Sequence, residues 1–284
     1  MNNNKKDGNV TRRINKTIVY IVCICLAVLS VLPFWIMFVN ATRSSAEIQS
    51  GISLFPSTHM MDNLRVLLEK SFDPIQGFMN SFIISSSATL LTVYFSSLAA
   101  YGLVTYSWKL RGAFFTFILC VMMIPSQASA IGFYQFMYKI HWTNSFLPLI
   151  LPAIAAPAVV FFMRQYLLAT LSIEIVEAAR VDGSGEFKTF NRIILPLMVP
   201  AVATQAIFAF VGNWNNLFMP LILLTQKDKY TMPIMVSLLR GDIYKTSFGS
   251  IYMGLALTAL PLFVVYFLLS RYIIAGVALG GVKE

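Results

Sequence analysis

The chain has 284 residues, 57% of them hydrophobic and only 12% charged, with a formal net charge of +9. A soluble domain carries roughly 25% charged residues, so a water-soluble globular enzyme is excluded and an integral membrane protein is implied. The basic surplus is scattered rather than gathered into one patch, so it reads as anchorage at membrane edges and not as a nucleic-acid surface.

Residues 1–16 are a polar tail with Lys5, Lys6, Arg12, Arg13 and Lys16. The apolar run from Thr17 to Val39 is too long for a signal-peptide core and no small-residue cleavage site closes it. It is expected to be a retained first span, 17–39. Cys23 and Cys25 lie in this run and Cys120 in a later one. Three buried thiols in apolar runs make neither a zinc site nor a disulfide framework, and free cysteine serves as a small hydrophobe. Residues 40–79 form an extracytoplasmic loop of mixed charge, in which "FPSTHMMDNLRVLLEK" reads as a short surface helix.

Five further apolar runs follow at about 80–104, 113–133, 146–168, 197–224 and 248–274, inside a core region of 80–274 that ends in a tail of 275–284. The expected fold is therefore all-α, a polytopic membrane protein with six transmembrane helices. An even count puts both termini on one side, and the basic N-terminus makes that side the cytoplasm. The segments so placed inside hold 13 of the 21 basic residues, including those of the "TYSWKLRG" loop.

Polar residues within spans are costly unless they face a cavity or another helix. The serine run 85–87 reads as packing. In the third span Pro125 breaks the helix beside Ser126 and Gln127, leaving carbonyls either for a cavity or for a packing kink. The fifth span holds "GNWNN", Gly212 to Asn216. Asn213, Asn215 and Asn216 can donate to and accept from the hydroxyl groups of a solute passing along a pathway, and Trp214 offers a ring face; the alternative is helix–helix hydrogen bonding. The Arg-Gly-Asp triplet at 240–242, in the loop 225–249, is a coincidence of turn residues.

None of the twelve acidic residues falls in a span, and His59 and His141 lie in loops. A proton-coupled carrier holds its proton on an intramembrane carboxylate or histidine, so energy comes from elsewhere. Sodium coupling through backbone carbonyls stays open. The chain also has no GxxxxGK[ST] phosphate loop.

Charge returns in residues 169–196, "ATLSIEIVEAARVDGSGEFKTFNRIILP". Ser172 is a suitable N-cap and Glu174 follows in the first turn, so a helix is expected from about Ile173 to Val181. Asp182-Gly183 stops it and turns the chain. A second helical piece, Glu186 to Ile194, leads to Pro196. Ala178 and Ala179 offer a flat face that a partner can approach closely, and Glu177 and Arg180 pair with each other or with that partner. The bland alternative is a helix lying among lipid headgroups.

The spacing Glu177-Ala178-Ala179, Gly183, Ile193, Leu195-Pro196 resembles the signature of bacterial binding-protein-dependent ABC importer permeases. With "MIPSQ", "FFMRQYL", "FVGNWNNLFMPLI" and the ending "AGVALGGVKE", it is most similar to the second inner-membrane subunit of the carbohydrate-uptake, maltose-type subfamily. Ser172 departs from the proline that the family often has there. The resemblance implies a bacterial plasma-membrane subunit that is not an enzyme and binds no cofactor itself. It implies a second permease subunit forming a heterodimer, two ATPase subunits that use ATP and Mg, and an extracytoplasmic solute-binding protein that delivers a sugar. It assigns ATPase coupling to Glu177, Ala178, Ala179, Arg180, Asp182, Gly183, Ile193, Leu195 and Pro196. The competing readings are a six-span secondary carrier, which lacks its carboxylate here, and a membrane scaffold, which needs no such spacing.

Overall fold

A computed structural model describes residues 3–69, 72–125, 127–239 and 247–281, with side chains between 16 and 267. Ser126 and the 240–242 triplet lie outside the described residues. Among the described residues every regular element is helical, and the chain divides into two compact units, 1–72 with 239–257, and 73–238 with 258–284.

The first unit opens with α1, Asn3–Ala41. Its apolar stretch Lys16–Ala41 is 26 residues long, and none of its most apolar window is buried. Two short helices follow, α2 (Ser45–Ser50) and α3 (Met60–Glu69), the latter being the expected surface helix. A capping box starts α2: Ser44 N–H donates to Glu47 Oε2 at 2.8 Å and Glu47 N–H to Ser44 Oγ at 3.3 Å. Arg43 is 7% exposed. Its guanidinium donates to Asn40 Oδ1, Gly51 O and Glu47 O. Asn63 donates from Nδ2 to the carbonyls of Ala41 and Arg43, both at 2.9 Å. These side chains satisfy backbone acceptors that the turn leaves open, so residues 40–69 are a built knot rather than a loose loop.

The second unit is organised on α4, Pro74–Thr105. Asp73 caps it by accepting from the N–H groups of Ile75 and Gln76, each at 3.0 Å, with proline at the first helical position. At 1.5 Å per residue its 32 residues exceed the hydrocarbon thickness of about 30 Å. Small buried side chains, among them Ser85, Ala88, Ser96 and Ala100, let neighbouring helices approach. Of the serine run, Ser85 is buried and Ser86 and Ser87 are half-buried.

The third apolar run departs from expectation. It forms α5 (Arg111–Met122) and α6 (Ala130–Lys139), with a turn between them. Twelve residues rise only about 18 Å, short of a bilayer. Pro125 cannot continue the helix hydrogen-bond ladder, and its carbonyl accepts instead from Ala128 N at 3.1 Å. Then come α7 (Leu147–Ile150), a 3-10 turn over Leu151–Ile154, and α8 (Pro157–Thr170).

After α8 the chain forms α9 (Ile173–Val181), α10 (Glu186–Thr189), a π turn over Phe190–Ile194, and α11 (Leu195–Leu197). The next helix, α12 (Val199–Trp214), leaves this arm at 80°. It is followed by α13 (Phe218–Leu223) and α14 (Met232–Leu238). The last helix, α15 (Phe248–Gly281), starts among first-unit residues. There a Cβ on Gly249 would collide with Asn63 and the Arg43 carbonyl.

Among the described residues four helices are long and apolar enough to cross a membrane, Lys16–Ala41, Pro74–Thr105, Leu147–Thr170 and Phe248–Phe267; there is a fifth crossing only if the bent pair Glu186–Leu197 and Val199–Trp214 is one span. The chain is a multi-pass, all-helical membrane protein. The three cysteines are unpaired and exposed on the outside of their helices, not buried as expected.

Candidate functional site

The elbow from Ser172 to Met198 is where charge and glycine gather. Its first helix has the expected bounds, but Ser172 does not cap it through its side chain. The hydroxyl turns instead to Glu174 Oε2 at 3.4 Å. Gly183 ends the helix at φ +75°, where a side chain is disfavoured. The turn closes with Gly183 N–H to Arg180 O at 3.0 Å and Ser184 N–H to Ala179 O at 2.9 Å.

Arg180 does not pair with Glu177. Its Nε meets Glu186 Oε1 at 2.7 Å, because the Gly183 turn folds α10 back beside α9. Glu186 Oε2 accepts from the Tyr101 hydroxyl at 2.8 Å, and the Arg180 guanidinium lies 5.3 Å from the Tyr106 ring centroid. The Arg180 guanidinium, then the Tyr106 and Tyr101 hydroxyls, hold the Glu186 carboxyl down to about 2. Sequence reasoning missed both tyrosines. Nothing local marks them, since Tyr101 and Glu186 are brought together only by the fold.

The two faces of the elbow differ. Val176, Phe190, Ile194 and Met198 are buried in one cluster with Ala100 and Tyr101 of α4 and Met163 and Leu167 of α8, and Ala179 is only 6% exposed. On the outside Glu177, Ala178 and Asp182 are exposed, with Val181 at 88% and Phe187 at 67%. The adjacent alanines therefore do not share one partner-facing surface: Ala179 belongs to this chain's own core and Ala178 faces out. Ile193 and Leu195 are half-buried and Pro196 is exposed. Pro196 has no N–H and its ring crowds the carbonyl four residues back. The turn before it is widened, with Leu195 N–H reaching Phe190 O.

The fifth-span polar group sits at a helix break, not in the middle of a helix. Trp214 is the last residue of α12, and Asn215 and Asn216 connect to α13. Trp214 is 1% exposed, so the ring face expected to meet a sugar is not available. Phe78 and Phe210 pack on it, and its Nε1–H donates to Thr258 O at 3.0 Å. Asn213 donates back to Ala209 O at 2.8 Å, and Asn216 Oδ1 accepts from Met219 N at 3.4 Å. Asn215 is exposed. Gln127 is exposed in the turn before α6. Among the described residues no group of three or more His, Cys, Asp or Glu is placed to hold a metal ion.

The family described as "Binding-protein-dependent transport system inner membrane component" matches residues 92–278, a stretch that contains the elbow and the break after α12. This chain belongs to that family. It is a permease, the transport subunit of an ABC importer rather than an enzyme, and works with a separate ATPase and a solute-binding protein. It is 36% identical over 261 residues to the arabinooligosaccharides transport system permease protein AraQ of Halalkalibacterium halodurans, covering 91% of this chain and 93% of the relative. It is 34% identical over 272 residues to the lactose transport system permease protein LacG of Rhizobium radiobacter, covering 96% and 98%. A bacterial ABC transporter involved in the import of the acidic polysaccharide alginate shares the fold, with TM-score 0.77 at 19% identity over 93% of this chain and 98% of that one.

Proposed function

We propose that this permease carries a sugar or oligosaccharide across a bacterial plasma membrane as one half of a permease heterodimer. Two ATPase subunits, using ATP and Mg, dock on the elbow, and an extracytoplasmic binding protein delivers the sugar. The arabinooligosaccharides and lactose for which the two relatives are named support the substrate class.

The observation that carries the coupling role is the division of the elbow into two faces. The inner face is locked to α4 and α8 through Val176, Phe190 and Ile194. The outer face offers Ala178, Val181 and Phe187 beside Glu177 and Asp182. A partner pushing the outer face moves two spans, since the packed cluster transmits displacement. Arg180, bound to Glu186, keeps the two halves of the elbow together, while Gly183 supplies the turn, and Ile193, Leu195 and Pro196 the exit. The first span, with none of its most apolar window buried in this chain, is available to lipid and to the second permease. Six crossings with both termini in the cytoplasm put the elbow on the ATPase side, α5 and α6 together making the third. Asn213, Asn215, Asn216 and Gln127 remain candidates for the pathway; Trp214 supports them from behind.

The test is reconstitution of the complex in vesicles with Phe187→Asp. Loss of ATPase retention or of sugar-stimulated ATP hydrolysis, with the permease still folded, is expected. Normal stoichiometry and normal stimulated hydrolysis would sink the docking role.

A further inference from the structure

At the elbow end of α4, α5 and α8 lies a cavity of about 230 Å³, lined by Arg111 and Arg164 with Leu103, Leu168, Leu171 and Ile173. Two guanidinium groups share it, and none of its lining residues is acidic. Arg164 is on α8, its Cζ 4.0 Å from the centroid of the Phe115 ring. Its Nε is buried without a hydrogen-bond partner among the described residues. Arg111 begins α5 and is half-buried, its Nη1 donating to Tyr106 O at 3.2 Å.

This arrangement suits an anion. A buried N–H needs an acceptor, and two neighbouring cations are best served by a group with several strong acceptor oxygens. A phosphate offers these and takes charge-assisted bonds from arginine. The surroundings select the form of the phosphate. Leu103 also lines a second cavity of about 460 Å³, almost wholly apolar, with Ala99, Gly102, Trp108 and Phe114. Trp108 and Leu110 are exposed beside it, as aromatic and aliphatic groups are at a membrane interface. Basic pockets between helix ends at this level bind anionic headgroups.

We propose that Arg111 and Arg164 hold the headgroup phosphate of an anionic membrane lipid, whose acyl chain lies along the Leu103–Trp108 trough. Leu171 and Ile173 form the elbow side of the cavity, so the lipid braces the start of α9. The site rests on cavity geometry and charge alone and stands whether or not the elbow docks an ATPase.

The test is native mass spectrometry of the purified permease complex in mild detergent, with phosphatidylglycerol, phosphatidylcholine and inorganic phosphate in separate arms. Wild type is expected to retain phosphatidylglycerol over phosphatidylcholine, and Arg111→Gln to lower that retention by about tenfold. Arg164→Gln should do the same where it assembles; where it does not, Arg111→Gln decides the matter. Undiminished phosphatidylglycerol retention in Arg111→Gln would overturn the proposal. So would equal retention of the two lipids, or binding of inorganic phosphate without any lipid preference.

Discussion

Arg180 and Glu186 form an ion pair of 2.7 Å across the Gly183 turn, and the same carboxylate holds the Tyr101 hydroxyl of α4. One side chain thus ties both halves of the elbow to a membrane-spanning helix.

The pair gives a pH signature with a definite sign. Glu186 has its folded pKa held down to about 2, below the ordinary 4.5. A depressed carboxylate stabilises the fold above its unfolded pKa and loses that contribution as pH falls towards the folded value. Stabilisation is therefore complete at neutral pH and fades between 4.5 and about 2. With the two side chains 36% and 41% exposed, solvent screening keeps the effect modest. Protection of the amides across 182–189 against hydrogen exchange, relative to the unfolded-chain rate at the same pH, is expected to fall at pH 7 in Glu186→Gln, and in wild type only on acidification. Equal protection in both at pH 7 would show that the pair holds nothing.

Adjacent alanines should respond in opposite ways. Ala179 is only 6% exposed within the chain, so Ala179→Leu overpacks the chain itself, at a cost of about 1–3 kcal/mol. Ala178 is exposed, and Ala178→Leu should leave the isolated permease within about 0.5 kcal/mol of wild type. Thermal unfolding of the permease alone reads the first change, and ATPase co-purification reads the second. A permease destabilised by Ala178→Leu would reverse the assignment of the two faces.

These contrasts show where the sequence speaks and where it stops. The bounds of α9 could be read directly because Asp182-Gly183 is a local stop signal, and Gly183 takes the positive φ expected of it. The facing of Ala178 and Ala179 could not, since it depends on what packs beneath the helix. The partner of Arg180 was hidden for a similar reason: Glu177 is nearer in sequence, but the turn delivers Glu186. Hydropathy joined 113–133 into one span, whereas the backbone constraint of Pro125 divides it between α5 and α6. Trp214 looked available because asparagines surround it, and only the fold puts Phe78 and Phe210 on its ring.

Gly183 offers a test of pure backbone strain. Nothing lies within 4 Å of a Cβ placed there, yet φ is +75°. Gly183→Ala should therefore cost about 1–2 kcal/mol through torsion alone, while Gly183→Asn, which tolerates this region, should cost less. The two variants are compared by thermal melting of the permease. Equal losses would point to a steric contact instead.

Trp214 and Asn215 should separate structure from pathway. Trp214→Ala removes a fully buried ring, and such truncations cost about 3–5 kcal/mol, so assembly is expected to suffer before transport can be judged. Trp214→Phe keeps most of the ring but removes the bond from its Nε1–H to Thr258 O. It should lower stability by about 1 kcal/mol and leave the transport KM near wild type. Asn215→Ala alters an exposed amide at the break after α12 and should raise KM without changing the melting temperature. Unchanged uptake in Asn215→Ala would move the pathway away from this break.

Orientation can be settled by labelling, provided the reporters are chosen by exposure. Thr231 is only 4% exposed and makes a poor reporter, whereas Thr58, Lys227 and Lys188 are exposed. Native Cys23, Cys25 and Cys120 lie on outward faces of their helices, so they are first changed to alanine. The segments placed inside, which include the N-terminus and the short loop before α5, hold 13 of the 21 basic residues, and such segments stay in the cytoplasm. An impermeant maleimide added to intact cells should therefore label Thr58→Cys and Lys227→Cys but not Lys188→Cys, which should react only after the membrane is opened. Lys188 follows Phe187 on the outer face of the elbow, so its position reports directly on ATPase access. Labelling of Lys188→Cys in intact cells would put the elbow outside, where no ATPase can reach it, and the coupling role would fall with the orientation.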